Sequence, residues 1–139
     1  MTIKFVDTYR TTCINELRDA VGASGFIYVY GGTQPAKGAA ASGHLVKFSC
    51  AATLFSGIVA GVGTVDVTGM AEAAVAGGAG TVATWARLTT SGGAFVADMT
   101  VGGSSSFDLS LDNTSIVGPA PGPASTITMT SMTITAMGA

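Results

Sequence analysis

Charge is what this sequence has least of. Asp, Glu, Lys and Arg make up 10% of its 139 residues, against about 25% in a typical soluble domain. The six basic residues, Lys4, Arg10, Arg18, Lys37, Lys47 and Arg87, are scattered along a chain of net charge −2. They make no stripe that could track phosphates, so no nucleic-acid partner is expected. His44 is the single histidine, and one imidazole with two distant cysteines does not make a zinc site. Cys13 and Cys50 read as thiols rather than a bridge, because "MTIKFVDTYR" carries no apolar signal region and implies folding in the cytosol.

Long hydrophobic runs are lacking too. The most apolar uncharged stretch, "FSCAATLFSGIVAGVGTV" (48–65), is broken by Ser, Thr and Gly. A spanning helix needs about 20 predominantly apolar residues, so no membrane partner is expected. Catalytic signatures are missing as well: no Gly-x-Ser-x-Gly elbow, no Walker loop, no Gly-x-Gly-x-x-Gly fingerprint. "GGSSS" (102–106) precedes a strand and reads as a loop. Asp108 and Asp112 alternate with leucines and read as a solvated face, with too few ligands nearby for calcium. These residues suggest neither an enzyme nor a cofactor site.

What is there instead is apolar. Hydrophobic residues reach 47% and the mean hydropathy is +0.52. Such a chain without a membrane span points to a surface covered by other protein, since stable interfaces are poor in charge and resemble cores. The length suits one domain, 1–139. Five of the six methionines lie from Met70 onward, as core filler or interface residues.

One segment reads as helix, 8–22. Tyr9, Cys13, Ile14, Leu17, Ala20 and Val21 recur at spacings of three to four, with Arg10, Glu16, Arg18 and Asp19 on the polar side. Asp7 or Thr8 is the expected cap and Gly22 the stop. Residues 1–7 are expected to form a first strand or an arm that pairs with a neighbour. From 25 to 137 the pattern is strand and turn. "FIYVY" (26–30) is apolar in both phases, so both its faces should be buried, one of them under the helix. "GGTQPAKGAAASG" (31–43) is a loop. "HLVKFSC", "VGTVDVT" and "FDLSLD" alternate, and regular strands with Gly-rich turns predict an antiparallel β-sandwich. In "TITMTSMTIT" (126–135) the apolar phase switches, which predicts a β-bulge near Thr130–Ser131 or a strand passing between sheets.

The hairpin "ATWARLTTSGGAFVADMTV" (83–101) raises a question. A Gly92–Gly93 turn pairs Leu88 with Ala97, Ala86 with Met99 and Arg87 with Asp98, and puts Phe95 on the inner face. Trp85 then faces outward beside Arg87. Either the domain's own chain covers it, the helix included, or Trp85 and Arg87 anchor a partner. "VGPAPGPAS" (117–125) is either a stiff connector or an extended segment presented through Pro119, Pro121 and Pro123.

"IYVYGGTQPA", "GTVATWARLTTSGGAFVADMTVG", "LDNTSI" and "ITMTSMTIT" occur in that order. Together they resemble a family of small virion proteins of tailed bacteriophages, the jelly-roll cement (decoration) proteins of the kind carried by Bordetella phage. The resemblance covers most of residues 8–135 and departs at "VGPAPGPAS" and at Thr-Val-Ala before Trp85. It implies a jelly-roll-like all-β fold with one short N-terminal helix, on the outer surface of an icosahedral head. The implied partners are the major capsid protein and a second copy of the chain, a homodimer, made in the host cytoplasm. A tail or fibre component is the alternative within the virion. A glycan-binding β-sandwich is the alternative outside it, and would show an exposed row of aromatics. The expected interaction residues are Ile3, Phe5, Trp85, Arg87, Pro119, Pro121 and Pro123.

Overall fold

The computed structural model describes residues 3–120 and 122–137. Residues 3–6 join no strand and lead into helix α1 (Asp7–Val21). A short 3-10 turn (Gly22–Ser24) follows. The strands are β1 (Phe26–Gly31), β2 (Val46–Ser49), β3 (Phe55–Val59), β4 (Val62–Val65) and β5 (Ala71–Ala73). They continue with β6 (Thr81–Thr89), β7 (Phe95–Gly102), β8 (Leu109–Leu111), β9 (Ser115–Ile116) and β10 (Thr126–Thr135). The fold is all-β with one N-terminal helix.

The strands hydrogen-bond in the order β2-β1-β6-β7-β8-β10-β4-β3, with β5 on β10 and β9 on β6. Among the described residues every pair is antiparallel except β7 with β8, which run parallel through Val101 and Leu109. The sheet curls over its own core. Its β2 end returns to the segment after β5, where the Leu45 carbonyl accepts N–H bonds from Val75 and Ala76. Ile27, Val29, Phe48, Leu88, Leu109 and Ile127 are among the side chains sealed inside.

Strand β10 carries the expected irregularity: its register against β8 shifts between Met129 and Ser131. The extra residue keeps Ile127, Met129 and Met132 all in the core. The stretch tested as a membrane segment is the β3–β4 hairpin. Its turn is Ala60–Gly61, with φ of 49° and 75°, the left-handed pair that tight hairpins prefer.

Helix α1 packs Ile14, Leu17 and Val21 of its expected face against the core but exchanges Tyr9 and Cys13 for Arg10. Arg10, Ile14 and Val21 are the buried residues and Leu17 packs partly against the core, while Tyr9 and Cys13 stay exposed. That stripe, at spacings of four, three and four, is also helical, and it wins because β3 and β4 lie beneath it. Glycines make the approach possible. A methyl group on Gly63 would meet Ile14 and Phe55, and one on Gly61 would meet the Arg10 stem. Arg10 is therefore buried, its Nε included, and that nitrogen has no hydrogen-bond partner among the described residues. The expected cap is corrected as well. Val6 occupies the cap position without a side-chain bond, and Asp7 sits in the first turn, paired with Arg10 at 3.1 Å. Gly22, with φ of 70°, closes the helix by donating its N–H to the Arg18 carbonyl. The helix packs on β3 and β4, not over β1.

Candidate functional site

Alternation along β1 sends Ile27 and Val29 into the core and Phe26, Tyr28 and Tyr30 to the opposite face. Antiparallel pairing sets Trp85 beside Tyr30, Arg87 beside Tyr28, and Asp98 beside Arg87. The result is a row of aromatic rings on the outer face of the sheet. Tyr30 and Trp85 stack at 4.2 Å between centroids and 10° between planes. The Arg87 guanidinium lies 5.5 Å from the Trp85 ring and 5.1 Å from Phe95. Lys47 holds its ammonium 3.7 Å from the Phe26 ring centre, a cation–π contact.

The predicted Arg87–Asp98, Ala86–Met99 and Leu88–Ala97 pairs are present, but the turn differs from the two-residue expectation. Gly93 donates to the Thr90 carbonyl and Thr90 donates to the Ala94 carbonyl, with Gly93 at φ 82°. The loop is Ser91–Gly92–Gly93, and the register slips so that Thr89 pairs with Phe95. One extra residue reverses the phase beyond it, so Phe95 joins Arg87 on the outer face. The expectation that Phe95 faces inward is corrected by this bulge.

Trp85 is 4% exposed and Arg87 7%. Neither stands free for a partner: the chain's own loop covers this face, and the helix does not. Arg87 donates from Nε and Nη2 to the two Asp98 oxygens at 2.7 and 2.9 Å, and from Nη1 to the Ala39 carbonyl at 2.6 Å. Thr84 anchors the start of the same loop by donating to the Gly32 carbonyl at 2.6 Å. Asp98 raises the Arg87 pKa by hydrogen bonding, so the guanidinium stays charged. Between the loop and the sheet lies a cavity of about 430 Å³. Tyr28, Tyr30 and His44 form one wall, Arg87 and Phe95 another, and residues 38–41 the roof. The His44 ring meets Tyr28 edge-on at 5.1 Å. Burial, and then Lys47, hold the His44 pKa below its usual value, and burial raises that of Tyr30. Cys50, in the core, is pushed up to about 11 by burial.

The other expected interaction residues lie elsewhere. Ile3 is 68% exposed, and Phe5 leans on Tyr9 at 5.1 Å between ring centres. Val6 and Met137 are exposed apolar residues too, and Met137 shares a groove with Phe5. Tyr9, Ile14, Leu17 and Ile134 also line this groove, of about 360 Å³. Pro119 and Pro123 are exposed, and Pro121 lies outside the described residues. The base of their loop is tied, because Ser125 donates its N–H to the Val117 carbonyl at 2.9 Å and accepts from the Val117 N–H at 3.0 Å. The described part of "VGPAPGPAS" is thus a loop with joined ends that exposes Pro119 and Pro123. The structure brings Trp85 and Arg87 together and places Phe5 elsewhere, in the groove with Met137.

Tyr28 and His44 were missed as site residues. The signal was present in Phe26, Tyr28 and Tyr30 at i, i+2 and i+4, but "FIYVY" reads as apolar on both faces. Among the described residues no cluster of three or more His, Cys, Asp or Glu is placed to hold a metal ion. Among the described residues no helix is long and apolar enough to cross a membrane. No protein-family model, curated protein or solved structure matches the chain.

Proposed function

We propose that this chain is a cement (decoration) protein of a tailed bacteriophage. In this reading it is made in the host cytoplasm and binds the outside of the icosahedral head as a small oligomer, a homodimer, stabilising contacts between capsomers of the major capsid protein. The observation that carries the reading is the exposed apolar surface of Phe5, Tyr9 and Met137 around one groove, in a chain with 10% charged residues. Contiguous apolar surface of this kind suits cover by another protein. The ordered run of motifs shared with phage cement proteins supports the same reading. A protein that binds only the assembled shell stabilises it by mass action, and many copies on a closed shell act together.

Cryo-electron microscopy of intact particles tests this. The chain is expected on the shell lattice, bridging capsomers. Absence from the lattice, or density only at the tail, rejects the cement assignment.

A further inference from the structure

The outer face of β1, β6 and β7 carries a second feature that head binding does not use. We propose that the cavity between the 38–41 loop and this face is a binding site for a neutral sugar ring, a pyranose. The inference stands on the cavity alone and does not depend on the head-binding reading.

Its walls are built for an amphipathic ring. Tyr28, partly exposed, offers a flat apolar ring next to its phenol oxygen, while Tyr30 is buried with one ring face on Trp85, and His44 meets both tyrosines edge-on. Neither phenol hydroxyl and neither His44 nitrogen hydrogen-bonds to another described residue, and Arg87 spends three of its N–H groups internally. A guanidinium has five donors, so about two remain. Polar groups thus converge on a space walled by rings and roofed by small residues, and about 430 Å³ falls within the range of small-ligand sites. A purely aromatic ligand would match the rings but leave those donors and acceptors unpaired, which is unfavourable. A pyranose presents C–H faces to rings and hydroxyls at its rim, and satisfies both.

Charge selects a neutral ligand. Arg87 is balanced by Asp98, and His44 is uncharged at neutral pH because burial and Lys47 lower its pKa. Lys47 keeps its own ammonium on Phe26. The site is also preorganised. The Arg87 bond to the Ala39 carbonyl fixes the roof before any ligand arrives, which lowers the ordering cost of binding.

Trp85 is the sole tryptophan and stacks on Tyr30 in the cavity wall, so its emission reports occupancy. The full chain is titrated with methyl glucoside, methyl galactoside and N-acetylglucosamine, and in parallel with glucuronate. At least one neutral sugar is expected to give a saturable change. Tyr28→Phe, which keeps the ring, its packing and the thermal unfolding, and His44→Ala are each expected to weaken it about tenfold. Three outcomes overturn the inference. One is no saturation with any neutral probe, by fluorescence and by ligand-observed NMR. Another is saturation that both variants leave untouched. The third is saturation by glucuronate alone.

Discussion

Arg87 and Asp98 leave water together, their side chains 8% and 5% exposed. Desolvating two charges is costly unless both ends are well bonded, and a stranded partner is worse than none. Asp98→Ala is therefore expected to lower the unfolding free energy by about 3–5 kcal/mol, read by urea denaturation. The Arg87→Met/Asp98→Leu double variant should lose much less than the two single changes summed. Trp85→Ala removes a buried ring and should cost about 3–5 kcal/mol, a folding defect visible without any partner. His44 gives a pH signature. Its folded pKa lies below the unfolded value of 6.5, so as pH falls through that value the unfolded chain takes up a proton first. Stability is then lost on acidification below 6.5 and levels off below the folded pKa. His44→Gln should flatten that part of a melting-temperature profile. The Arg87–Asp98 register was legible from the hairpin, and the position of Phe95 was not. A single inserted residue at the bulge decides it.

At the scale of elements, helix α1 and the β3–β4 hairpin define each other. The periodicity of 8–22 announced a helix and put Ile14, Leu17 and Val21 on its apolar face, but it put Tyr9 and Cys13 there too and left Arg10 on the polar side, so a stripe through Arg10, Ile14, Leu17 and Val21 came second to one through Tyr9 and Cys13. The hairpin chooses the second, because Gly61 and Gly63 let its backbone come within reach of Arg10 and Ile14. Gly63→Ala pushes a methyl into Ile14 and Phe55, at 2.8 and 2.7 Å. It should destabilise by about 1–3 kcal/mol, as overpacking does, in a calorimetric or denaturant measurement. The strands β3, β5 and β9 escaped the sequence pattern because they are short and partly exposed, so alternation has little to act on.

For the whole molecule, the question is which surface meets a partner. The apolar surface at Phe5 and Tyr9 is exposed in the free chain, whereas the Trp85 face is already covered. Under the proposed function, a Phe5→Ala/Tyr9→Ala variant should fold within about 0.5 kcal/mol per site of the parent yet weaken attachment to heads. Co-sedimentation with heads stripped of the protein measures it, and unchanged attachment would move the contact elsewhere. The prolines at 119 and 123 offer a second place to look, since their loop is tied at its base and leaves both exposed.

By itself the sequence determined the class of fold, the one helix, the long strands, the bulge in β10 and the Arg87–Asp98 pair. These follow from residue period and local spacing, which the chain carries wherever it folds. Only the tertiary structure decided what covers Trp85, which stripe of α1 is buried, and that Tyr28, Tyr30, His44 and Arg87 surround one cavity. Those outcomes depend on contacts between segments dozens of residues apart. The 32–45 loop closes over β6 because an arginine at 87 finds the carbonyl of residue 39, and no local pattern encodes that meeting.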